Sequence, residues 1–242
     1  MKPHNRLWPS LDRPKVLTFA PLAWLKLQFF CHAGDTEIGG FGIARPDNPL
    51  YIEEFVTVKQ QVTPVTVRFS DEDVANYFDR CVDRGLKPES FSRVWLHSHP
   101  AESVTPSTTD EETLVRCFGR CDWALMFILG RTAKTYARLA FHVGPGTQVV
   151  IPTQVDWSAW PREVSDPLLN LETLQKLWQG EYVANVQALP NVLTRMMPNP
   201  RQSMLEDPGE WDDYLWSPEL DELRYELVEN PDHEPAIRTR ST

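Results

Sequence analysis

The sequence predicts an α/β domain with a single mixed β-sheet flanked by helices, covering residues 15–153 of the 242. Three observations predict it. Apolar runs rich in Val, Ile and aromatic residues alternate with stretches of helical spacing, in the order helix, strands, helix, strand, helix, strands. Glycine or proline punctuates many of the boundaries. After Pro152 the texture changes, which predicts an irregular and helical extension over 154–205 and an acidic tail over 206–242.

The elements follow in order. Residues 1–14 read as an irregular lead-in with Pro3, Pro9 and Pro14. From 20 to 32, Leu22, Leu25, Phe29 and Phe30 share a helical face, and Pro21 suits a first turn. "IGGFGIA" reads as a strand whose glycines allow another backbone to come close. "LYIEEFVTV" and "VTPVTVRF" read as further strands, with Pro64 placing the second at an edge or bulge. Ser70 followed by Asp73 opens a helix that ends near Arg84 at Gly85. "SRVWLH" is a strand, and 107–118 a helix. "WALMFILG" and "TYARLAFHV" are strands joined by a turn at Gly130, and "TQVVIP" is one more. Helical periodicity returns from Leu168. In the tail, Ser217 and Pro218 open a short amphipathic helix carrying Leu220, Leu223 and Leu227 on one face.

Composition limits the function. The chain is 41% hydrophobic, enough for a core, and its net charge of −10 argues against a protein that grips nucleic-acid phosphates. From Glu206 to Glu234, twelve acidic residues face one basic residue, Arg224. Four cysteines with no secretory leader are not a disulfide framework, and they point to a reducing compartment, the cytoplasm. "FAPLAWLKLQFF" is too short to cross a bilayer and contains Lys26, so no membrane role is expected.

The chemistry gathers in "VWLHSHPAESVTPSTTDEET". His97 and His99 are two apart at the end of a strand, so both imidazoles point to one face and can ligate one cation. A catalytic zinc wants a third protein ligand and an open position for water. Asp110 supplies the third ligand from the first turn of the next helix, where the helix dipole favours its charge. Ser107, one turn earlier, is its N-cap. For a general base, Glu37, Glu53 and Glu54 all lie on or beside predicted strands, and spacing does not choose among them.

The spacing His-x-His-Pro, six residues, Ser, two residues, Asp resembles the signature of the JAMM (MPN+, or JAB) metalloproteases. "TEIGGFG" resembles the family's upstream glutamate followed by two glycines. The resemblance spans roughly 15–153 and leaves out the C-terminal ninety residues. It implies the JAB/MPN, cytidine-deaminase-like fold and one Zn(2+) per chain on His97, His99 and Asp110. Glu37 takes the role of general base toward a zinc-bound water, and Ser107 that of hydrogen-bond partner to the tetrahedral oxyanion. The implied activity is peptidase or isopeptidase cleavage after the C-terminus of a ubiquitin-like protein, by deconjugation or precursor maturation. Gly39 and Gly40 lie where such a tail would approach. The same resemblance admits release of an amino acid from a sulfur-carrier protein, or a scaffold module without turnover. Family members that read ubiquitin chains carry an insertion after the signature Asp, whereas here the chain goes straight from helix to strand at Trp123. That absence and the tenor of "STTDEET" lean toward a prokaryotic ubiquitin-like system, a kind sometimes found in antiviral operons. Activating or conjugating enzymes are the implied partners for the acidic tail.

Two smaller expectations remain. Cys117 and Cys121 share a helix face and are expected as small core residues, the alternative being a second metal site with His142. His32 and His142 are expected to be structural, and Cys31 and Cys81 to be buried on helix faces.

Overall fold

The computed structural model describes residues 15–160 and 170–189. The lead-in over 1–14 and the acidic tail with its Ser217-capped helix lie outside the described residues, as do 161–169.

The expected α/β architecture is present, with helices on both faces of a large mixed sheet. Eight strands compose it: β1 (Leu17–Phe19), β2 (Ile38–Arg45), β3 (Asn48–Val56), β6 (Val94–His99), β7 (Trp123–Gly130), β8 (Thr135–Phe141), β9 (Thr147–Val150) and β10 (Thr153–Val155). Their order is β10-β1-β3-β2-β6-β7-β8-β9. β6 runs parallel to β7 and antiparallel to β2. β9 and β10 sit at opposite edges, yet only Ile151 and Pro152 separate them in the chain. A two-residue link cannot cross a flat sheet of eight strands spaced about 4.8 Å apart, so the sheet curls until its edges approach.

The sheet is not alone, which corrects the single-sheet expectation. β4 (Gln60–Thr63), β5 (Thr66–Phe69) and β11 (Val186–Ala188) form a second sheet in the order β11-β4-β5. "VTPVTVRF" is therefore not one strand with an irregular proline. Pro64 sits in the turn of a hairpin, where its fixed φ fits and its missing N–H costs nothing. Thr63 and Thr66 join hydroxyls across that turn at 2.8 Å, and the Val65 N–H donates to Thr63 Oγ1 at 3.2 Å.

The helices cover both faces. α1 (Pro21–His32) has Pro at its start, as expected. α2 (Asp71–Asp83) is capped by Ser70, whose Oγ accepts from the Asp73 N–H, and it stops ahead of Gly85 at φ 76°. α3 (Pro88–Phe91) is a single extra turn. α4 (Thr108–Thr113) runs on into one π turn, Leu114–Phe118. α5 (Leu171–Asn185) begins at Asn170, whose side chain accepts from the Glu172 N–H.

Strand alternation divides the interior into two cores. Val94 and Leu96 of β6 and Phe127 of β7 pack with Leu27 and Phe30 of α1 and Trp178 of α5. On the other face, Trp95 of β6 and Phe41 of β2 pack with Tyr77, Phe91, Leu114 and Phe118. Residues 171–188, expected as part of an extension, belong to the same compact unit. Trp178 reaches Phe29, and β11 pairs in parallel with β4. Among the described residues, no helix is long and apolar enough to cross a membrane.

Cys31 and Cys81 are buried, as expected. Cys117 and Cys121 are not the core residues they were expected to be. Cys117 is exposed and Cys121 partly so, because Leu114 and Phe118 take the inward positions of this turn. The only His/Cys/Asp/Glu group among the described residues that can hold a metal lies elsewhere, and His142 Nδ1–H donates to the Cys121 backbone carbonyl at 2.7 Å.

Candidate metal centre

β6 makes the site. Trp95, His97 and His99 alternate with Val94, Leu96 and Ser98, so the three rings share the face covered by α4. Both histidines lie inside the strand rather than beyond its end. β2 pairs antiparallel with β6, Ile38 opposite Ser98 and Gly39 opposite His97. One step further along that register, Glu37 arrives beside His99, its Oε1 3.7 Å from His99 Nε2. A residue sixty positions upstream thus reaches the site through strand pairing.

α4 brings the third ligand. Ser107 and Asp110 form a reciprocal capping box: the Asp110 N–H donates to Ser107 Oγ at 3.2 Å. The Ser107 N–H and O–H both donate to Asp110 Oδ2, at 2.7 and 2.8 Å. The cap occupies Oδ2 and leaves Oδ1 3.2 Å from His97 Nε2. Ligand atoms of His97, His99 and Asp110 all lie within 4.8 Å of one another, and all three residues are buried.

The two nitrogens nearest Asp110 are His97 Nε2 and His99 Nε2, and neither has an aligned hydrogen-bond partner. At His99 the tautomer is fixed, because Nδ1–H donates to the Ser103 carbonyl at 3.0 Å and leaves a lone pair on Nε2. Two imidazoles and one carboxylate, buried together with unpaired nitrogens, fit a dication such as zinc, whose catalytic sites take three N/O ligands. Buried nitrogens of this kind are costly unless something uses them.

Electrostatics divide the four groups. Burial pushes the Asp110 carboxyl up, but His97, His99 and the Ser107 N–H outweigh it and hold it well below the usual range. Burial lowers His97. Burial also opposes charge on His99, yet Asp110 and Glu37 beside it leave its pKa raised. Glu37 is 7% exposed, and burial pushes it up to about 8 against the opposing pull of His99. Glu53 and Glu54 are excluded as partners in this site, since they pair with Arg45 and Arg84.

A cleft opens on the ligands between Val65 and Val67 of the hairpin and Thr109 and Thr113 of the ligand helix, with Trp95 in its wall. Gly39 and Gly40, expected beside an approaching tail, are packed beneath other chain. Gln60 accepts from the Gly39 N–H at 2.8 Å and donates to the Gly39 carbonyl at 2.9 Å, so β2 has no free edge there. A Cβ on Gly39 would meet the Phe69 ring at 2.9 Å, and one on Gly40 would meet the Val56 carbonyl at 2.4 Å. The glycines serve close packing of the hairpin and of β3.

Some residues of the site were not singled out from sequence. Trp95 was legible in principle, two residues before His97 on the same strand face. Gln60, Ser103 and Arg138 were not, because their contacts come from distant segments. Arg138 of β8 makes a bidentate pair with Glu111, 2.8 and 2.6 Å, and anchors α4 next to Asp110. No protein-family model matches the chain, and no curated protein matches it.

Proposed function

We propose that the chain is a zinc-dependent hydrolase of the JAMM type, a JAB/MPN-fold peptidase or isopeptidase that cuts after the C-terminus of a ubiquitin-like protein. One observation carries the reading: a buried His97–His99–Asp110 group with Glu37 3.7 Å from His99, at a cleft between hairpin and helix. His97, His99 and Asp110 hold the metal. When bound, the ion supplies Lewis acidity to a carbonyl and lowers the pKa of a water.

The remaining chemistry belongs to the chain's own side chains. Glu37 is the general base: it accepts the proton of the attacking water and delivers it to the leaving amine. Burial raises its pKa to about 8 in the metal-free protein, and the positive charge of a bound dication would favour the carboxylate form that accepts the proton. Ser107 supports Asp110 through the capping box. In the reaction it is also the hydrogen-bond partner of the oxyanion, a role that requires its hydroxyl to turn from Asp110 Oδ2. Val65, Val67 and Trp95 supply the apolar part of a cleft whose other lining groups are polar.

The test is metal content together with turnover. The purified full chain is expected to hold one zinc and to release a fluorogenic amide from the C-terminus of a ubiquitin-like protein. Glu37→Gln is expected to keep its zinc and lose activity by a factor of roughly a hundred or more. His99→Ala and Asp110→Ala are expected to lose the metal. A Glu37→Gln protein with normal turnover would place the base elsewhere. A wild-type chain without zinc would favour a scaffold module, and release of a free amino acid from a sulfur-carrier protein would redirect the substrate assignment.

A further inference from the structure

We propose that Trp95 is the positioning residue for His97: a ring stack, rather than a hydrogen bond, holds this metal ligand in place. The inference rests on the metal-site reading above. Metal-ligating imidazoles usually fix their orientation by donating the second ring nitrogen to a carbonyl or carboxylate. His99 does so through Ser103. His97 does not. Its Nδ1 and Nε2 are both buried without an aligned hydrogen-bond partner, and the residue is fully buried. Asp110 Oδ1 lies 3.2 Å from Nε2 but is not aligned to accept from it. Nδ1, the nitrogen that would carry a supporting hydrogen bond, has none, and the polar neighbour on the other side, Asp110, is itself a candidate ligand.

Trp95 supplies what is missing. Its ring lies 4.4 Å from that of His97 at an interplanar angle of 20°. Phe118 lies 6.2 Å from Trp95 at 18°, so three nearly parallel rings run from the helix core to the metal ligand. Trp95 and Phe118 are both buried in that core, and the support is itself held. The strand explains why the stack forms, since residues 95 and 97 share a face of β6. The stack also acts on the bound state. A ligated imidazole gives up electron density to the dication and becomes cation-like, and the face of an indole attracts such a ring. A Leu or Met at 95 would fill much of the volume but would neither fix the ring plane nor offer a π face.

The experiment is zinc affinity of the full chain, measured by competition with a chelator of known affinity, for wild type and for Trp95→Phe, Trp95→Leu and Trp95→Met. Thermal melts of the metal-free proteins run beside it. Trp95→Phe is expected to stay within about threefold of wild type, because it keeps an aromatic face. Trp95→Leu and Trp95→Met are expected to lose roughly tenfold or more, the size of effect seen when support for a metal-ligating His is removed. Should Trp95→Leu fail to fold, the comparison of Phe with Met decides. A folded Leu or Met variant with wild-type affinity overturns the proposal, and so does a Phe variant that loses as much as Met. If the wild-type chain takes up no zinc, the metal reading falls first and Trp95 with it. If wild type binds and all variants bind alike, the metal site stands and only the role of Trp95 is lost.

Discussion

Asp110 and Glu37 are two buried carboxyls driven in opposite directions, and the metal-free protein should show it in its pH dependence. Burial raises Glu37 from 4.5 to about 8, so the folded chain holds that proton more tightly than the unfolded chain does. Its contribution to stability is complete below pH 4.5 and is lost as the pH rises toward 8. Asp110 has the reverse sign. Its pKa is held below the ordinary 3.8, so its contribution is present above that value and is lost in acid. Glu37→Gln removes the first effect, together with the part of the His99 shift that Glu37 supplies, and leaves the Asp110 capping box in place. Its melting temperature relative to wild type, both metal-free, is expected to climb between about pH 5 and 8 on top of a constant offset. The gain is on the order of a few kcal/mol at the alkaline end. A difference that stays flat over that range would mean that Glu37 ionises freely in the folded chain.

At the scale of elements, the legible parts were those written in local pattern. The i, i+2 spacing of His97 and His99 fixed their shared face, and Ser-x-x-Asp marked the starts of α2 and α4. The hairpin was hidden because Thr-Pro-Val-Thr lacks the Gly or Asn that advertises a tight hairpin turn. Cys117 and Cys121 were expected to share a helix face, but the helix ends at Phe118, and spacing alone does not say which face points inward. Leu114 and Phe118 decided it. The glycines of β2 show the same limit: their sequence announced close approach, and only the fold shows what approaches. That difference is measurable. Gly40→Ala drives a Cβ to 2.4 Å from the Val56 carbonyl, a backbone atom of a paired strand. Gly39→Ala meets a Phe69 ring edge at 2.9 Å, and the ring can move. Urea denaturation is expected to show a loss of about 3 kcal/mol for Gly40→Ala and about 1 kcal/mol for Gly39→Ala. A larger loss at Gly39 would show that the hairpin is the more rigid neighbour.

At the scale of the molecule, the sequence placed the edge of the α/β domain at 153, and the packing gives that edge a testable meaning. α5 closes the face opposite the candidate metal centre. Trp178 is 8% exposed against Phe29, and Tyr182 meets Phe30. Glu181 takes Lys26 at 2.6 Å and Thr57 Oγ1 at 2.8 Å. Beyond it, β11 lays its backbone along β4, with Val186 opposite Gln60. β4 is the strand whose Thr63 carbonyl accepts from the Glu37 N–H at 2.9 Å and whose Gln60 clasps Gly39. The order of support therefore runs from β11 to β4, from β4 to Glu37, and from Glu37 to the metal ligands. A chain ended at residue 156 keeps every site residue yet loses this support. Removal of Trp178 alone is worth roughly 3 kcal/mol or more by the usual cost of emptying a buried aromatic site. Such a chain is expected to melt far below the full-length protein and to bind zinc poorly. A chain ended at 205 keeps α5 and β11, and should retain both the melt and the zinc of the full chain. Equal stability and zinc content for the chains ended at 156 and 205 would show that the site needs nothing beyond the strand that pairs with β1.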